Sequence, residues 1–146
     1  MINIFQPKIT EESLELVKKV FESNWLGRGS LVSEFELELS KYLSIPKSQL
    51  TTMSCCSDAI FAIIKLLSQI DNRKTIIIPS ISFPAIGSSI KASNCNLKIV
   101  DVDAKTGNIC LDALSKAIDD DTLAVFYTHY GGIPVDSKKV RDIVGD

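Results

Sequence analysis

The sequence predicts an α/β fold, a three-layer sandwich with a mainly parallel sheet covered by helices on both faces, and three observations carry that expectation. From residue 50 onward, short β-favouring segments alternate with helical ones. The strand at residues 75–78 is a β-branched run read as apolar without interruption, as a strand buried on both faces must be, and 123–128 reads as another buried strand. Three polar or glycine-containing stretches, SCCSDA, PSISFPA and THYGGIPVD, fall where strands end, which is where ligands collect on parallel sheets. Parallel neighbours need crossover connections, and helical crossovers cover the sheet.

Each element has its own justification. Residues 10–23 place Leu14, Val17, Val20 and Phe21 at helical spacing, with Thr10 as N-cap and acidic residues in the first turn. The segment NWLGRGS breaks this helix with two glycines. A second helix follows over 30–43, with Leu31, Phe35, Leu39 and Leu43 at spacing four and Ser30 as its cap. Residues 51–54 read as a short strand and 58–70 as a helix. The strand at 75–78 is stopped by Pro79, and Pro84 suits the first turn of a helix running through Ile86 and Ile90 to about Ala92. A strand at 97–102, a helix at 111–118 and the strand at 123–128 complete the rhythm. Within 135–146 a helix begins with Val140 and Ile143 and halts on Gly145-Asp146 with no strand after it. The expectation is therefore the front part of a longer polypeptide, or of a shortened relative, with residues 1–49 a helical arm and 50–146 the α/β core.

Composition narrows the function. At 146 residues, 45% hydrophobic and 23% charged, the chain matches a soluble globular domain. A net charge of -2 without a long basic run offers nothing to a polyphosphate backbone, so no nucleic-acid partner is expected. The N-terminus MINIFQPKITEE lacks the basic start and apolar core of a secretory signal, and no apolar run approaches the ~20 residues needed to cross a bilayer. A cytoplasmic protein with no membrane partner is expected, its Cys55, Cys56, Cys95 and Cys110 free thiols. Adjacent Cys55 and Cys56 lack metal-ligand spacing and a Cys-x-x-Cys redox motif, and His129 is the sole histidine, so no metal site is expected.

The stretch SCCSDAI reads in two ways. A strand followed by small residues and a helix start leaves backbone N–H groups unpaired at the positive end of a dipole, a cup for an anion. Cys56 and Ser57 are small enough to admit a phosphate, with the Ser57 hydroxyl adding a hydrogen bond. Asp58 suits the dipole but repels a phosphate, so it should face elsewhere. In the plainer reading Ser57 is an N-cap and the cysteines are small core residues. A Cys56 nucleophile would need a base that only His129 could supply.

Taken in order, five segments resemble the DegT family of sugar aminotransferases, pyridoxal-phosphate enzymes with an aspartate-aminotransferase-like (type I) large domain. SNWLGRGSLVSEFELELSKYL is similar to the family's first loop and helix, with Trp25 and the pair Phe35-Glu36 in register. SCCSDAI is similar to its Ser-Gly/Cys-Thr-x-Ala-Leu turn, where Cys56 takes the Gly or Cys place and Ser57 the Thr place in holding the cofactor phosphate. IIIPSISFPAIGSSI resembles its Pro-x-x-Thr-aromatic-x-Ala strand end, with Ser82 for Thr and Phe83 as the aromatic. KIVDVDAKTGNICLDALSKAI and DTLAVFYTHYGGIPVD follow its next two segments.

The resemblance implies an N-terminal portion of that large domain and the transfer of an amino group from glutamate to a nucleotide-linked ketosugar, in a homodimer. Cofactor-binding residues would be Cys56, Ser57, Asp58, Phe83 and His129. Phe83 would stack on the cofactor ring, against the alternative of a core aromatic. His129 would bond the ring oxygen or the substrate, against a structural role on loop backbone. Trp25 and Arg28 would face substrate, against a surface Arg and a Trp packing the first helix. Gly27 stands where the family often has Ser or Thr. Asp101 and Asp103 read as cap or turn residues. The family's Glu-Asp-x-Ala and Ser-x-His-x-x-Lys stretches, bearing the pyridinium Asp and the Schiff-base Lys, would lie past residue 146. Lys47, Lys74, Lys98 and Lys105 flank turns or strand starts instead, so these residues alone are expected to be inactive. The alternative is a shortened relative acting as an interaction or regulatory module.

Overall fold

The computed structural model describes residues 6–145, which divide into two compact units between Thr52 and Met53.

The first unit is helical. Helix α1 (Glu11–Glu22) starts where the Thr10 hydroxyl accepts the Ser13 N–H at 3.2 Å, as its sequence predicts. Leu14, Val17 and Phe21 remain exposed, and no α1 residue is buried. Helix α2 (Ser30–Leu43) begins one residue earlier than expected: Gly29 is its N-cap and Ser30 its first helical residue, so Ser30 makes no cap. Among the described residues of this unit, the buried ones are polar. Glu36 is 2% exposed and Ser40 is buried on the same helix face.

The second unit is the sandwich. Strands β1 (Thr75–Pro79), β2 (Asn96–Val100) and β3 (Thr122–Val125) form a parallel sheet in the order β2-β1-β3. Four helices cover it: α3 (Cys56–Ile70), α4 (Pro84–Ala92), α5 (Leu111–Ala117) and α6 (Ser137–Val144). The central β1 is buried throughout, and its alternation shows why the run is apolar on every residue. Ile76 and Ile78 join Ile64 of α3 and Ile86 and Ile90 of α4 in one core. Ile77 points the other way, to Val100, Ile109, Leu114 of α5 and Val140 of α6. Burial of such an isoleucine contributes roughly 1.5–3 kcal/mol.

Some expected bounds move, each for a local reason. Residues 51–54 form no strand, because the Thr52 N–H is spent on the Glu36 carboxylate at 2.9 Å rather than on a neighbouring strand. The helix expected from residue 58 starts at Cys56 with Cys55 as N-cap, so Ser57 is its second residue and not a cap. Past Val100 the chain leaves β1, and Val102 instead bridges antiparallel to Ile109. The third strand stops at Val125, although the Phe126 N–H still reaches the Ile77 carbonyl at 2.8 Å. Asn94 (φ 58°) ends α4 in the left-handed region, where the Cys95 N–H closes back on the Ile90 carbonyl at 3.1 Å.

Candidate functional site

The start of α3 is open to solvent. Cys55 has extended backbone and supplies no side-chain cap; the first return bond runs from the Ala59 N–H to the Cys55 carbonyl at 3.2 Å. The N–H groups of Cys56, Ser57 and Asp58 therefore have no intrahelical partners. Cys55 and Cys56 are exposed and Ser57 half-buried, so small side chains ring the opening without closing it. They are not core residues; Cys95 is the buried thiol. The Asp58 carboxylate accepts the Ser54 hydroxyl. Helix α3 returns to β1 through residues 71–74 and packs Ile64 on Ile76 and Ile78, so it runs antiparallel to β1. Its amino end accordingly lies toward the carboxyl ends of the strands.

At those strand ends a cleft of about 390 Å³ is lined by Ile81, Ser82, Phe83, Thr128 and Tyr130. Phe83 is 68% exposed, the N-cap of α4, and no part of the core. The Ser82 hydroxyl oxygen is buried and has no partner among the described residues. His129 follows Thr128 and is exposed. Its Nδ1 accepts the Val135 N–H at 2.9 Å, and its ring meets Tyr127 edge-on with centroids 5.8 Å apart. With Nδ1 accepting, the neutral ring carries its proton on Nε2. The bond to loop backbone is thus made by one nitrogen, and the other is left as a donor.

In the first unit, Trp25 is 64% exposed and donates from Nε1 to the Arg28 carbonyl at 3.1 Å. Its ring lies over the glycines: a Cβ on Gly29 would meet Trp25 Cδ1 at 2.9 Å. The Arg28 guanidinium pairs with Glu36 at 2.5 Å while remaining about half exposed. Glu36 also accepts the Thr52 N–H and hydroxyl, both at 2.9 Å. The Thr52 N–H foremost, then the hydroxyl and Arg28, hold the Glu36 carboxyl below its ordinary range, against burial acting the other way. The sequence sets Glu36 in register with the family but gives it no role. A glutamate eight residues after Arg28, amid the apolar positions of α2, was the signal for it.

Of the lysines named from the sequence, Lys74 and Lys98 are held by partners that precede β1 and β3, while Lys105 follows the carboxyl end of β2. Lys74 precedes β1 and donates to the Ser68 carbonyl at 3.0 Å, and Lys98 donates to the Ala117 carbonyl and to Asp119 at 2.6 and 2.7 Å. Lys47 donates to the Ser33 carbonyl at 3.1 Å within the first unit. Asp103 is a turn residue: its Oδ1 accepts from the Lys105 and Thr106 N–H groups and the Thr106 hydroxyl. Among the described residues no cluster of His, Cys, Asp or Glu is arranged for a metal ion, and no helix is long and apolar enough to cross a membrane.

dTDP-4-dehydro-2,3,6-trideoxy-D-glucose 4-aminotransferase of Saccharopolyspora spinosa is 34% identical over 142 residues, 97% of this chain and 37% of the relative. The aminotransferase TlmJ from Streptoalloteichus hindustanus has a similar structure, with a TM-score of 0.88 and 34% identity over 98% of this chain and 39% of its own. The putative sugar aminotransferase Spr1654 from Streptococcus pneumoniae, solved in a PLP form, shares the fold with a TM-score of 0.84 at 24% identity, over 97% of this chain and 36% of its own. The chain spans well under half the length of these relatives. The model of the DegT/DnrJ/EryC1/StrS aminotransferase family matches residues 7–146, through both helices of the first unit and all three strands of the second, and the chain belongs to that family.

Proposed function

We propose that these residues supply the phosphate-and-ring side of the site of a pyridoxal-phosphate-dependent aminotransferase. Its substrates are a nucleotide-linked ketosugar and glutamate as amino donor, and it works as a cytosolic homodimer. The observation that carries the reading is the open, uncapped start of α3, on the strand-end side of the sheet that also bears Phe83. The cofactor fits what is present. Three unpaired N–H groups and the Ser57 hydroxyl suit an ester phosphate. An exposed Phe83 suits offset stacking on a ring. The buried, unpartnered Ser82 hydroxyl in the same cleft suits a polar atom of a ligand.

When bound, pyridoxal phosphate supplies the electron sink for moving an amino group between carbons. The chain's own residues bind and orient. Cys56, Ser57 and Asp58 hold the phosphate through backbone N–H groups, the Asp58 carboxylate being drawn to Ser54. Phe83 fixes the ring plane, and His129 donates from Nε2 to a cofactor or substrate oxygen. In the first unit Arg28, already oriented by Glu36, presents a fixed positive charge for a substrate phosphate, beside Trp25. Lys74 and Lys98 are spent on backbone carbonyls and on Asp119, so neither would hold the cofactor covalently.

Titrating the isotope-labelled chain with pyridoxal phosphate tests this. Amide shifts are expected at Cys56, Ser57 and Asp58 and ring shifts at Phe83, with no single lysine accumulating a borohydride-trapped adduct. An undisturbed α3 start contradicts the cofactor assignment; one preferred lysine contradicts the division of labour.

A further inference from the structure

Asn108 sits where the chain turns back after β2. The Asn108 N–H donates to the Thr106 hydroxyl at 3.2 Å, and its carbonyl accepts the Asp103 N–H at 2.8 Å. Only 6% exposed, Asn108 spends both ends of its carboxamide on the loop after β3. Oδ1 accepts the Tyr130 N–H at 2.8 Å, and Nδ2 donates to the Ile133 carbonyl at 3.0 Å. Gly107 adds a second hold. At φ +71° it lies under the Tyr130 ring, where a Cβ would meet Cδ1 at 2.7 Å. Between the two clamped ends, Gly131 and Gly132 have positive φ, and the Gly132 N–H closes on the His129 carbonyl at 3.1 Å. Two residues past Ile133 comes the Val135 N–H that donates to His129 Nδ1.

We propose that Asn108 is a positioning residue for His129: its carboxamide, with Gly107 beneath Tyr130, sets the 129–135 loop so that Nδ1 is held by Val135 and the Nε2 proton is the one offered to a ligand. The Asn108 carboxamide bonds to Tyr130 and Ile133 and not to the imidazole itself. The effect travels through the loop, whose turn is otherwise built on two conformationally free glycines. A buried carboxamide with both polar atoms satisfied on one segment selects a single backbone arrangement there. What the Nε2 proton is offered to rests on the proposed function; the clamp does not.

The chain has a single histidine, so the imidazole nitrogen spectrum of the labelled 146-residue protein reads one residue. In the native protein Nδ1 should resonate as an unprotonated nitrogen, and the Val135 amide should be protected from exchange. Asn108→Ala should lower Val135 protection by about tenfold, the equivalent of one lost hydrogen bond. It should also shift both imidazole nitrogens while leaving β1 amides protected. Gly107→Ala should reproduce the signature by displacing the Tyr130 ring with the carboxamide intact, and it decides the matter if Asn108→Ala fails to fold. Unchanged Val135 protection and imidazole shifts in the folded variant would overturn the proposal. Both readings are taken without cofactor, so failure of the clamp is distinguishable from failure of the cofactor titration.

Discussion

At Glu36 one carboxylate oxygen gathers the Arg28 guanidinium and both donors of Thr52, in a side chain almost wholly withdrawn from water. A carboxyl held below its unfolded titration value stabilises the fold fully at pH values above that unfolded range. The contribution is lost as pH falls through the lower folded value. Glu36→Gln should therefore unfold at lower urea than the native chain at pH 7, and the gap should close on acidification toward pH 3. A gap that widens in acid would show that the charge is not what matters. Phe83 invites the opposite expectation: with 68% of it exposed, Phe83→Ala should change the unfolding midpoint little. In an assembled, cofactor-loaded protein the same change should weaken cofactor binding by about threefold to tenfold, the worth of a stacked ring pair. Equilibrium dialysis measures the second effect and denaturant titration the first.

Helix α3 is amphipathic only in part. Ile64 is 1% exposed in the core, while Phe61, Ile63, Leu66 and Ile70 are exposed at 41% to 70%. Ile64→Ala should cost about 2–5 kcal/mol, because it removes buried methyl groups from the core that Ile64 shares with β1 and α4. The start of the same helix is open to an anion. Ser57→Glu places a carboxylate where the dipole favours an anion, so the variant should be at least as stable to heat as the native chain. It should nonetheless lose the amide shifts at Cys56 and Asp58 on adding pyridoxal phosphate, since the added carboxylate competes for the cup. Retained shifts would place the phosphate elsewhere. Helix α1 shows why periodicity alone does not settle burial: Leu14, Val17 and Phe21 keep helical spacing, yet each is more than half exposed.

Across the whole molecule, large apolar side chains lie exposed on α1, α2, α3 and β2, including Phe21, Phe35, Leu66 and Ile99. Faces of this kind associate in water, so sedimentation velocity of the isolated chain should show a rising average mass between dilute and concentrated samples. A concentration-independent monomer would contradict that. The sequence by itself determined the layers and the order of elements from residue 75 onward, though not the absence of the strand read at 51–54, because an uninterrupted Thr75-Ile76-Ile77-Ile78 run has no stable place except between two helical layers. It also carried the family, through five ordered segments that lie within residues 7–146, the range the family model matches. Local signals placed the Thr10 cap and the Pro84 helix start, since both depend on neighbours three or four residues away. Only the tertiary structure decided the rest. The grip of Glu36 on Arg28, the diversion of Thr52 from a strand and the hold of Asn108 on the loop after β3 each join residues 8, 16 and 22 positions apart. Such pairings leave no periodic trace in the chain, because they arise from where the folded backbone brings one donor to one acceptor.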